Sequence, residues 1–160
     1  MAQYTFWNST AKQAKHSGVY GNTATWDCLL AVGGASGITS TTGDTVTINL
    51  MKLPAGAIVH EIAWLIGAAY NAGSSIALGF VNVDPNQPSP ANSVQPAVNA
   101  FTGGSPINGA ATGSGTILVM PMHFAVPAWV QATFSGATGE QVKKTLASLY
   151  IRMLGVSDGA

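Results

Sequence analysis

Few residues in this chain stand at spacings that do chemistry. Ser9-Thr10-Ala11-Lys12 matches S-x-x-K, in which a lysine one helical turn from a serine can act as its base. The companion motifs S-D-N and K-T-G are absent, and so short a pattern recurs by chance. His60-Glu61 begins like H-E-x-x-H, but Trp64 stands where the second histidine belongs. Neighbours on a strand point to opposite faces, so His60 and Glu61 cannot work on one substrate together. Their ordinary reading is a subunit contact or hydrogen bonds to backbone. His16, His60 and His123 could hold a metal only by tertiary convergence, since no short spacing joins them. Asp27, Asp44, Asp84 and Asp158 are isolated; Asp44 and Asp84 suit turn amides. There is no phosphate-binding loop, no dinucleotide fingerprint and no G-x-S-x-G. The sequence therefore predicts no catalytic residue, no metal ligand, no cofactor and no enzyme. A hydrolase built on His60 or His123 is the reading set against that.

Binding chemistry has more candidates. The tryptophans Trp7, Trp26, Trp64 and Trp129 could line a sugar-binding face, although aromatics more often fill a core or a subunit interface. Cys28 is the single cysteine, which excludes an intrachain disulfide and a C-x-x-C site. Six Lys/Arg balance six Asp/Glu. The basic residues cluster only as Lys12/Lys15 and Lys143/Lys144, too few for a phosphate-binding patch, so no nucleic-acid partner is expected. No apolar run reaches the ~18 residues of a membrane span. The first ten residues lack a basic stretch followed by an apolar one, so no signal peptide is expected.

The charged fraction is 8%, against about 25% in ordinary soluble domains. Net charge keeps copies of a protein apart; here it is zero. Much of the surface is therefore expected to be covered by other subunits. The plainer alternative is a β-domain whose surface is polar through Ser, Thr and Asn.

The elements that would position these residues read as strands. Residues 52–84 are the organising stretch. Leu53-Pro54-Ala55-Gly56 is a turn signal, because Pro fixes its own φ and Gly accepts φ > 0. An apolar run over 57–66 and the alternating Ile76, Leu78, Phe80 flank a small, polar connection, which predicts a β-hairpin. Within the first run Ile58, His60, Ile62, Trp64 and Ile66 share one face, and Val59, Glu61, Ala63 and Leu65 the other. Both faces are partly apolar, as in a strand covered on both sides. Residues 44–50 give the cleanest strand, with Val46, Ile48 and Leu50 inward and Thr45, Thr47 and Asn49 toward solvent or a partner.

Residues 22–32 are a candidate strand, and 9–21, without an apolar face, a loop. Residues 116–122 read as a strand that Pro121 confines to an edge or a bulge. Residues 128–134 alternate again. Residues 140–154 fit either a helix or a strand; strand from Lys144 is preferred because its neighbours are strands. Five of the eight prolines fall within 84–115, which predicts a long irregular insertion, packed down through Val94, Val98, Phe101 and Ile107.

The fold expected is all-β: a β-sandwich or jelly roll of seven to eight short strands with a long Pro-rich insertion. Its organisation would be an N-terminal arm (1–21), a β-sandwich domain (22–155, with 84–115 irregular) and a tail (156–160).

The order of signals resembles small β-sandwich structural proteins of tailed bacteriophage virions. The pieces are Gly43-Asp44-Thr45-Val46-Thr47-Ile48-Asn49-Leu50, then Lys52-Leu53-Pro54-Ala55-Gly56-Ala57-Ile58-Val59, then Ile76-Ala77-Leu78-Gly79-Phe80 running on to Asp84. Tyr150-Ile151-Arg152 closes the series. The resemblance covers 44–84 and, more loosely, 116–154. It implies a capsid decoration or cement protein on the capsid surface of the virion, a homotrimer that binds the major capsid protein where capsomers meet. The insertion and the aromatic N-terminus depart from the pattern. A tail or neck component, or a carbohydrate- or receptor-binding fibre domain using Trp129 or Trp26, stands as the alternative. The expected subunit and capsid contacts are Tyr4, Phe6 and Trp7 in the arm, with Phe101 and Ile107 in the insertion. Neither nucleic acid nor membrane is an expected partner.

Overall fold

A computed structural model describes residues 2–5, 13–18, 21–33, 45–86, 96–136 and 146–157. Among these, the chain is all strand and turn. The strands are β1 (Ala2–Thr5), β2 (Gln13–Gly18), β3 (Gly21–Gly33), β4 (Thr45–Leu53), β5 (Ala57–Ala68), β6 (Ser75–Asn82), β7 (Ile107–Asn108), β8 (Gly113–Phe124), β9 (Ala128–Ser135) and β10 (Leu146–Ser157). They form two five-stranded sheets, ordered β1-β4-β9-β6-β7 and β2-β3-β10-β5-β8. Among the described strands only β1, laid on β4, pairs in parallel. The strand reading of the C-terminal segment holds, and β10 runs on to Ser157, into the expected tail.

The sheets face each other across one core. Val46, Ile48, Leu78, Phe80, Val130 and Phe134 come from the first; Trp26, Val59, Ile62, Phe124, Leu149, Ile151 and Met153 come from the second. Phe80 meets Phe124 edge-on across the gap, centroids 4.9 Å apart. Burying such aliphatic and aromatic side chains contributes about 1.5–3 kcal/mol each.

The predicted hairpin does not form. β5 lies in the second sheet and β6 in the first. The connection between them crosses from sheet to sheet, anchored where Tyr70 N donates to Gly109 O at 2.9 Å and Gly109 N to Ser74 O at 2.8 Å. Two apolar runs around a small-residue connection fit either a hairpin or a crossing, and the choice depends on distant partners. The 53–56 turn also crosses between the sheets: Gly56 takes φ 83°, and its amide donates to Phe124 O at 2.8 Å.

β5 is not covered on both sides. Ala57, Val59, Ile62 and Ile66 are buried, whereas His60, Leu65 and Gly67 are exposed. The inward phase changes between Val59 and Ile62 because both neighbours shift register there: Val59 pairs Met122 but Glu61 pairs Leu118, and Glu61 pairs Leu154 but Val59 pairs Gly155. A β-bulge moves the pattern by one residue and exchanges the faces. Pro121 sits in the part of β8 skipped by that shift, and β8 is an edge strand, as a proline there requires.

The segment 13–18, read as loop, is the edge strand β2. Pairing with β3 supplies its backbone hydrogen bonds without any apolar face. The described part of the insertion runs along the free edge of β6. Phe80 N donates to Ala97 O at 3.1 Å and Phe101 N to Leu78 O at 3.0 Å, and Thr102 Oγ1 accepts from Leu78 N at 3.1 Å.

Candidate functional site

The outer faces of the two sheets differ in kind. On the first, the polar side of β4 is mostly buried within the chain, where solvent or a partner is expected. Thr47 and Asn49 are buried, as are Gln131 and Thr133 on β9. They pair across the strands: the Thr47 and Thr133 hydroxyls lie 3.0 Å apart, and Gln131 Nε2 donates to Asn49 Oδ1 at 2.8 Å. Matched in this way, the polar groups are satisfied within the chain.

On the second sheet, strict alternation sets the outward residues. Along β3, Ala24, Trp26, Cys28 and Leu30 are buried and Thr25, Asp27 and Leu29 are not; along β10, Leu149, Ile151 and Met153 are buried and Tyr150, Arg152 and Leu154 are not. Register aligns them into rows. Tyr150 stands between Leu29 and Leu65, and Arg152 between Asp27 and Ala63. Leu29 is 50% exposed and Leu65 45%. With Val98 they are the exposed large hydrophobic residues among those described. The Tyr150 hydroxyl reaches Asp27 Oδ2 at 3.5 Å, a long hydrogen bond. Arg152 is exposed.

The face thus sets an apolar row beside a charged one. The aromatic ring and leucines supply area, and the charges supply orientation. Sequence reading missed this row. Leu29-Leu30 is the one local signal, since two adjacent leucines on a strand cannot both face inward.

The expected contact residues fare differently. Phe101 and Ile107 are both 5% exposed. Phe101 packs 5.7 Å from Phe80 and 6.5 Å from Phe124, ring centre to ring centre. Their side chains serve the chain's own core and leave the set of contact candidates. Tyr4 lies in β1, at the register position of Ile48; Phe6 and Trp7 lie outside the described residues, as do Ser9, Lys12 and Asp44.

The catalytic candidates do not converge. His16 is on β2 and His123 on β8, opposite edges of the sheet, with His60 on β5. Among the described residues no group of three or more His, Cys, Asp or Glu could hold a metal ion. Asp84 does take a turn amide, accepting from Asn86 N at 2.9 Å. Burial, with the Asp27 charge secondary, pushes the Cys28 thiol up to about 11, which keeps it protonated and unreactive at neutral pH. Trp26 is 2% exposed and cannot stack on a sugar. Trp64 packs partly against the core.

No protein-family model matches the chain, and no curated protein matches it in sequence. Two solved chains are similar in structure. One belongs to the acidic stable capsid structure of Helicobacter pylori bacteriophage KHP30, with TM-score 0.49 and 14% identity over 91% of this chain and 93% of that one. The other belongs to the capsid asymmetric unit of cyanophage Pam1, with TM-score 0.44 and 19% identity over 94% of this chain and 96% of that one. At such identity and superposition the reading of function rests on the chain's own residues.

Proposed function

We propose that this chain is a structural component of a bacteriophage virion: a capsid decoration or cement protein that self-associates and binds between capsomers. The carrying observation is the row of exposed Leu29 and Leu65 about half-buried Tyr150, on a chain with only 8% charged residues. The sequence resemblance over 44–84 supports the setting, and it implies three copies per assembly and the major capsid protein as partner. The role asks for no reaction and no cofactor. Affinity comes mainly from apolar and backbone contacts, each modest, multiplied by many sites engaged together.

The test compares particles assembled with and without the protein. Particles lacking it are expected to lose thermal or mechanical stability, and high salt is expected to release little of it. Steep release with salt would contradict an apolar attachment. A carbohydrate-binding fibre domain is the second reading. It keeps only the half-buried Trp129, and glycan binding abolished by Trp129→Ala would favour it.

A further inference from the structure

We infer that the outer face of the second sheet docks on the same face of a second copy of this chain, about a two-fold axis parallel to the strands and running between β3 and β10. The inference rests on the self-association proposed above and specifies its geometry.

The order of residues on the face carries it. β3 and β10 are adjacent, with Leu29 beside Tyr150 and Asp27 beside Arg152. An axis between these strands exchanges their positions in the partner. Leu29 then meets Tyr150 of the partner subunit, and Asp27 meets Arg152 of the partner subunit, each contact made twice. Such reciprocity is what an isologous interface requires. The two acids and two guanidinium groups form an alternating square, and the leucine and tyrosine rows close over each other beside it.

Other registers fail on charge. An axis over β10 sets Arg152 against Arg152 of the partner subunit. An axis across the strands through the Tyr150 row sets Asp27 and Arg152 over the row of Ser148, leaving both charges without a counterpart. Among the described residues Arg152 makes no ion pair within the chain, so its charge is available. Glu61, on β5, lies at the rim of the pair.

The area is modest. β3 and β10 face each other over about 11 residues each, but β5 meets only the six residues of the partner subunit's β2. At about 4.8 Å between strands and about 3.3 Å per residue, the face presents on the order of 500 Å². That is below the ~800 Å² per partner of a standard interface and suits a weak, concentration-dependent dimer. A two-fold pair replaces the threefold assembly that the resemblance implies.

Charge reversal with mixing tests the register. Sedimentation of the unmodified protein over a range of concentrations is expected to show a dimer. Asp27→Arg and Arg152→Asp are each expected to weaken self-association about tenfold or more, because each sets like charges opposite one another. Mixing the two variants in equal amounts is expected to restore the dimer as a hetero-pair. Within each variant positions 27 and 152 carry like charge, so restoration cannot arise inside one chain. A protein monomeric at every concentration would overturn both this geometry and self-association. A protein that self-associates, but whose mixed variants recover nothing or whose assembly has the mass of three copies, overturns the two-fold register alone. If a reversal fails to fold, Leu29→Ser takes its place. It should weaken the dimer without changing the unfolding midpoint measured at concentrations where the unmodified protein is monomeric, and an unchanged dimer would overturn the proposal.

Discussion

Gly79 in β6 and Ala97 in the insertion are in direct contact: a β-carbon on Gly79 would overlap the Ala97 carbonyl oxygen, to which Phe80 N donates at 3.1 Å. The insertion closes the edge of β6 only because residue 79 has no side chain. Gly79→Ala is therefore expected to lift 97–102 from that edge and loosen Phe101, at a cost of about 2–4 kcal/mol. Equilibrium unfolding in urea measures it. A loss below about 0.5 kcal/mol would show that the edge contact is dispensable.

The Thr47–Thr133 hydroxyl pair links β4 to β9 on a polar face that is nonetheless buried. Replacing either by Val takes this bond from the other hydroxyl, whereas replacing both removes the need for it. A double-mutant cycle with Thr47→Val and Thr133→Val is expected to give a coupling of about 1 kcal/mol. Simple additivity would mean that the pair adds nothing to pairing of the strands.

Legibility in the sequence followed locality. The inward residues Val46, Ile48 and Leu50 of β4, the turn at Gly56 and the edge position of Pro121 depend on neighbours in sequence, and composition alone displays them. β5 misleads because its bulge is produced by β8 and β10, so the face assignment of His60 and Ile62 is not encoded in residues 57–66. Phe101 and Ile107 look like contact residues in a proline-rich stretch. Only the position of β6 shows that the core takes them. The same limit hid Leu29 and Leu65, whose outward direction emerges when β10 is placed between them.

Stability should fall in alkali, and Cys28 accounts for part of the fall. Burial raises its folded pKa from 9.0 to about 11. A group raised in this way contributes stability that is complete below its unfolded value and lost as pH rises through its folded value. The loss from this thiol therefore spans about pH 9 to 11. Unfolding midpoints across that window should drop less steeply for Cys28→Val than for the unmodified chain. The thiol should also resist aromatic disulfide reagents until the protein unfolds.

Tyr70 separates packing from hydrogen bonding. Its ring is fully buried, 5.0 Å from that of Phe134, while its hydroxyl and the Ser74 hydroxyl have no hydrogen-bond partner among the described residues. Burial also pushes the phenol well above its ordinary pKa. The ring stabilises the end of the sandwich where β5 passes to β6, and the hydroxyl, taken out of water without recompense, opposes it. Tyr70→Phe should therefore leave stability unchanged or raise it by up to about 1 kcal/mol, whereas Tyr70→Ala should cost about 3–5 kcal/mol through the cavity it opens. Thermal unfolding of the two variants side by side decides it. If Tyr70→Phe loses more than about 1 kcal/mol, the hydroxyl is bonded in solution, and the crossing between the sheets depends on that bond.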